Sequence, residues 1–319
     1  MNSALAFSLH TIYANATNVI GTSPCSSSSV SYNVLNCPSG FIPVGYNTDV
    51  ETTSDFCVMK YEAKARHSEN NAIDVDGCNE AGCTTPNWGL ADHIPASSPA
   101  GSPWRRINPI NASAECNSLN TGGATNYDLI SNPEWMTIAR NAEGEDANWE
   151  TGTPGFGVMF RGHSDNSPSS ALSAAADNDP YNGTGNDPSQ AMGSGKEQKR
   201  TLTLSNGEVI WDFSGNVWEW VDWSHTAAGF QEGPKTCAAS WTQLPNVSCG
   251  DLSSSQYMPS ITNLDSSNGV GRFYGGSGGA AHSGGDWSVG TLSGAFALNF
   301  SDSASNTRAY TGFRCVYRP

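Results

Sequence analysis

The densest chemistry in this sequence lies between Trp211 and Trp223, which reads Trp-Asp-Phe-Ser-Gly-Asn-Val-Trp-Glu-Trp-Val-Asp-Trp. Large apolar anchors there hold a tight glycine-containing turn, while Asp212 and Glu219 carry oxygens that can converge on a hard cation. An amphipathic strand with two solvated carboxylates has the same pattern, and spacing alone leaves both readings open. Nine cysteines, Cys25, Cys37, Cys57, Cys78, Cys83, Cys116, Cys237, Cys249 and Cys315, lack the paired CxxC clusters of a zinc site. Disulfides in an oxidising compartment are the expectation, with one thiol left over; buried free thiols are the alternative. His10, His67, His93, His163, His225 and His282 are scattered without ligand spacing. No G-x-S-x-G elbow, H-E-x-x-H or Walker loop occurs, and the glycine run Gly275–Gly285 is not followed by a helical pattern that could present a phosphate site. Asp177, Asp179, Asn182 and Asp187 make an oxygen-rich loop that fails EF-hand spacing.

These groups must be positioned by short elements. Phe41, Ile42 and Val44, then Phe56, Val58 and Tyr61, predict two strands forming a hairpin. A short helix is expected after Asn111 or Ser113 as cap, ending near Asn120 and Gly122. A second is predicted by the capping-box spacing of Ser131 and Glu134, with Pro133 in its first turn, Trp135 facing the core and Gly144 at its end. Residues 155–199 are rich in Ser, Asn, Asp and Gly, a long irregular stretch that is either functional or held by ligands. Asn206-Gly207 predicts a type I′ hairpin turn. Residues 224–270 are a second excursion, which Cys237 and Cys249 could staple.

Composition narrows the classes. The 319 residues carry a net charge of −15 with fifteen Lys and Arg, so no basic stripe is available for nucleic acid. No apolar run approaches the roughly 18 residues of a membrane span. Ten tryptophans and thirty-four glycines suggest aromatic anchors joined by many turns. Residues 1–36 contain no Asp, Glu, Lys or Arg and read as a connector or the end of a fibre stalk before a domain spanning 37–319. MNSALAFSLHTIYANA lacks a basic start and is read as mature chain rather than a signal peptide.

The segment Gly215-Asn216-Val217-Trp218-Glu219-Trp220 resembles the GNVWEW signature of the formylglycine-generating-enzyme (sulfatase-modifying factor) family. Three further segments resemble that family in its own order: SDFCVMKYEAKA its opening strand, ECNSLN through YDLISNPEWMTIARNAEG its helix pair, and GGDW through TGFRCVYRP its closing segment. The resemblance implies an α+β, C-type-lectin-like fold, loop-rich, with two short helices and small twisted antiparallel sheets. It also implies Cys116 paired with Cys315, Cys37 with Cys57, Cys78 with Cys83 and Cys237 with Cys249, leaving Cys25 unpaired. A structural calcium is implied at the side chains of Asp212 and Glu219 and the carbonyls of Gly215 and Val217.

Active family members bind copper through two cysteines shortly after the GGS(W/Y) turn, places that fall here on about Val289 and Gly294. No copper is expected without thiolates, and no iron without a histidine cluster. An enzyme is therefore not expected. In phage and bacterial surface proteins sharing this fold the stretch after Gly285 is the recognition surface, which makes Trp287, Asn299, Asp302, Asn306, Arg308 and Tyr310 candidate ligand-binding residues, while Phe296 and Phe300 belong to the core. The reading is a secreted or cell-surface adhesion domain at a fibre tip, binding glycan or protein on another cell, neither membrane-spanning nor bound to nucleic acid. The N-terminal segment would assemble a homotrimer or serve as a flexible tether. A catalytically active family member and a structural spacer are the alternatives.

Overall fold

A computed structural model describes residues 35–73, 93–223, 236–276 and 279–319 with their side chains, and the backbone pairing of short strands between residues 8 and 34. The predicted hairpin is present: Phe41–Val44 pairs antiparallel with Phe56–Met59, and Ile42 and Val44 turn inward beside Phe56 and Val58. Cys315–Tyr317 lies between Phe56–Met59 and Tyr127–Leu129, so both ends of the domain share one four-stranded sheet. Two disulfides clamp that junction, Cys37–Cys57 with Cα atoms 5.7 Å apart and Cys116–Cys315 with Cα atoms 5.4 Å apart. The second closes a span of 199 residues, where a cross-link removes much freedom from the unfolded chain. Cys237–Cys249 staples the second excursion. Cys25, Cys78 and Cys83 lie outside the described residues.

Helix α1, Pro109–Ser118, begins earlier than the sequence suggests. Asn108 is its cap, accepting from the Asn111 amide at 2.8 Å, in place of Asn111 or Ser113. Pro109 in the first turn has no N–H to satisfy and a φ already suited to a helix. Helix α2, Asn132–Glu143, carries the complete capping box between Ser131 and Glu134 and ends at Gly144. Trp135 on α2 is buried, stacks on Phe213 with centroids 3.9 Å apart, and donates its indole N–H to the Ala295 carbonyl at 2.8 Å.

A six-stranded sheet runs in the order Trp241–Thr242, Phe273–Tyr274, Gly294–Asn299, His282–Gly284, Trp218–Trp220, Thr311–Gly312. Phe296 and Phe300 are buried, as expected. Thr201–Thr203 and Val209–Trp211 form the second predicted hairpin, but its turn is not type I′. The Gly207 amide donates to Leu204 O at 2.8 Å and Gly207 alone has positive φ, +83°, which makes a three-residue loop with glycine in the left-handed position. The architecture is α+β and C-type-lectin-like: two helices, small sheets and much ordered loop. No helix among the described residues is long and apolar enough to cross a membrane.

Between residues 8 and 34, Ser8–Ile12 pairs antiparallel with Val30–Val34, and Thr17–Asn18 with Gly21–Thr22.

Candidate functional site

The tryptophan-rich turn encloses charge. Asp212 and Glu219 are both buried, and each is held at two points by an arginine. Arg200 donates to the two Asp212 oxygens at 2.8 and 2.6 Å; Arg314 donates Nε to Glu219 Oε2 at 2.6 Å and Nη2 to Oε1. Burial opposes the charge on Arg314, yet attraction to Glu219 and its hydrogen bonds carry its pKa above the ordinary value. Glu62 and Lys64 sit in the same field, with Lys64 Nζ 3.7 Å from Glu62 Oε2. Burial, followed by the charge on Asp212, pushes the Glu62 carboxyl well above its usual range, and burial lowers Lys64.

This geometry does not fit a calcium ion. All four carboxylate oxygens of Asp212 and Glu219 already face guanidinium N–H groups, and a dication would enter a region occupied by two arginines. No group of three or more His, Cys, Asp or Glu that could hold a metal occurs among the described residues. Sequence reasoning found the carboxylates and missed their partners.

The same pairs fix the long loop. Arg200 also donates to Ser173 O at 2.8 Å and Asn182 O at 2.9 Å, while Asn216 holds Leu172 through both its amide oxygen and nitrogen and donates to Glu62 at 2.7 Å. Protein groups thus order residues 155–199 from within, and one wall of a cleft of about 680 Å³ beside Trp149, Phe160 and Tyr181 is built from them.

The expected recognition residues divide. Asn299 is buried, accepts from the Ser301 amide at 2.8 Å and pairs with His282 across the sheet, so it serves the sheet and does not face outward. Asp302 is also buried and organises its neighbours: Arg308 donates to it at 3.0 and 2.6 Å and Asn306 at 2.9 Å. Arg308 is exposed, and Asn306, Tyr310 and Trp287 are half-buried. Burial, then the Asp302 charge, raises the Tyr310 pKa. What links Trp287 to this group is a residue the sequence did not single out. Arg105 lies 5.7 Å from the Trp287 ring centroid and donates to the Ala309 carbonyl at 2.9 Å. The signature turn supports the same face from behind, since the Trp287 amide donates to Asn216 O at 3.1 Å and the Trp218 amide to Tyr310 O at 2.8 Å.

The model of the sulfatase-modifying factor enzyme 1-like domain matches residues 40–319. The chain belongs to that family. Among solved structures, the sulfatase-modifying-factor domain described here is similar to the Major Tropism Determinant P3c Variant at 15% identity and TM-score 0.36, covering 88% of this chain and 53% of that one. Treponema denticola variable protein 1 matches at 14% identity and TM-score 0.31, over 98% of this chain and 95% of its own. PvdO from Pseudomonas aeruginosa matches at 14% identity and TM-score 0.33, over 88% and 92%. This chain spans little more than half the length of the first of these structures. No curated protein sequence matches it. Gly294, near one of the two places expected for copper cysteines, is closed to any side chain: a Cβ there would overlap the Val270 carbonyl and the Gly271 amide.

Proposed function

We propose that this domain is an extracellular recognition module that binds glycan or protein on another cell through the face around Trp287, Arg308, Asn306 and Tyr310. The observation that carries the reading is Gly294. A thiol at that position requires movement of the backbone at Val270–Gly271, which favours a recognition surface over a copper site there. The disulfides support an oxidising compartment. In an aromatic, amide and guanidinium surface of this kind, ring faces take apolar sugar or side-chain faces and the polar groups fix orientation.

Binding of the whole chain to cells or to an immobilised glycan array, compared with Trp287→Ala, tests the proposal. Wild-type binding lost in the variant supports it. Copper-dependent oxygen consumption with a cysteine-containing peptide sinks it in favour of the catalytic alternative. Assembly is a separate part of the proposal: three copies of residues 1–36 would share one stalk and place three domains at its end. Light scattering of the full chain against a chain starting at Cys37 decides this, and a monomeric mass for the full chain removes the stalk.

A further inference from the structure

Three buried side chains, those of Glu62, Lys64 and Asn216, meet behind the tryptophan-rich turn. Glu62 stands just before the strand Ala63–His67 and Lys64 is the second residue within it, so the two-residue repeat of extended chain turns both side chains to one face. Asn216 comes from the turn itself. Glu62 is 1% exposed and the other two are fully enclosed at 0%.

Lys64 Nζ has no hydrogen-bond partner and lies 3.7 Å from Glu62 Oε2. An ammonium in that position carries the cost of its desolvation, which a neutral amine avoids. Burial is the largest influence on both groups, lowering Lys64 and raising Glu62. An uncharged, desolvated lysine amine has a free lone pair and acts as a nucleophile.

Asn216 presents the matching electrophile. Its Oδ1 accepts from the Leu172 amide at 2.7 Å, which polarises the side-chain carbonyl and stabilises charge developing on that oxygen. Its Nδ2 donates to Leu172 O at 3.1 Å and to the same Glu62 Oε2 at 2.7 Å. One carboxyl oxygen therefore faces both the amine and the nitrogen that departs when the amine attacks.

We infer that Lys64 and Asn216 join in an intramolecular isopeptide bond, with Glu62 as the proton carrier. The Nζ lone pair adds to Asn216 Cγ and the Cγ–Nδ2 bond breaks. One Nζ proton passes to Glu62 as the carboxyl hands one to Nδ2, so Glu62 ends as it began and one ammonia leaves. No oxidant or further reactant is consumed. Enclosure keeps water from competing for the amide carbon. The bond ties the strand Ala63–His67 to the turn that backs the recognition face, with a link that reducing agents do not open.

The intact mass of the full chain, reduced and denatured, tests this. The wild type is expected to be lighter than its sequence by one ammonia, and its digest to contain a branched peptide joining Lys64 to Asn216. Lys64→Met and Glu62→Gln are each expected to regain the full mass. A wild-type chain at full sequence mass overturns the inference, whether or not the variants fold, and leaves Lys64 and Glu62 as a buried ion pair. Ammonia loss that persists in Lys64→Met overturns it too, because closure of the Asn216 side chain on the Val217 amide releases the same ammonia. A cross-link retained in Glu62→Gln overturns the role of Glu62.

Discussion

Arg314 closes a two-point ion pair on Glu219 across 95 residues of sequence, with both side chains fully buried, and so joins the last strand of the domain to its tryptophan-rich turn. Arg314 also donates to Met59 O at 3.0 Å and Trp211 O at 3.1 Å, which adds the opening hairpin to the same knot. Such a pair gives little net stability over an apolar replacement, but either half alone is very costly.

Glu219→Ala is therefore expected to destabilise by about 3–5 kcal/mol because it strands the buried guanidinium. The double variant Glu219→Leu with Arg314→Met is expected to be less damaging than the sum of the single changes. Denaturant melts of the four proteins check this, and additive losses would show that the two groups do not act as a unit.

Chelation is expected to leave the melting temperature unchanged at this turn, since arginines occupy both carboxylates. A cation bound at about 100 times its dissociation constant would contribute roughly 2.7 kcal/mol, which calorimetry with and without EDTA would register as a clear downward shift.

Two buried groups impose opposite pH dependence. Burial raises the Glu115 carboxyl from 4.5 to about 7, so its contribution is present below pH 4.5 and is lost as pH rises toward 7. Burial lowers His282 from 6.5 to about 4, so its contribution is present above pH 6.5 and is lost as pH falls toward 4. Glu115→Gln is expected to make stability rise more steeply with pH between 4.5 and 6.5, and His282→Gln to flatten or reverse that rise. Melting temperatures across pH 4–8 separate the two, and identical slopes in all three proteins would contradict the assignment.

Removing the Cys116–Cys315 bridge by Cys116→Ala with Cys315→Ala is expected to cost about 2–5 kcal/mol, because it ties the first helix to the last strand. Urea midpoints against the wild type measure it.

Gly294→Cys is expected to lower stability without conferring copper binding, because its Cβ meets backbone on the neighbouring segment. Stoichiometric copper uptake by Val289→Cys with Gly294→Cys in a folded protein would reverse the argument for a recognition module.

Elements whose signals are local are legible from a few consecutive residues. The Ser131–Glu134 capping box, the Phe41 and Phe56 strands and the burial of Trp135 follow from propensity and periodicity within a few residues. The ordered resemblance of four segments added the family and the three observed disulfides, since a family carries its long-range pairing with it. Tertiary structure decided what the charged residues do. Asp212 and Glu219 show two carboxylates in a turn, but their partners are 12 and 95 residues away, and nothing at either arginine marks it for that role. Asn299 and Asp302 are polar residues in a polar stretch, and only the sheet and the Arg308 pair turn them inward. Arg105 reaches Ala309 across 204 residues, a distance over which composition and spacing carry no information. A hydrogen bond is a short-range force that acts on whichever groups packing brings together, so the chain's own order fixed the parts and the fold chose the pairs.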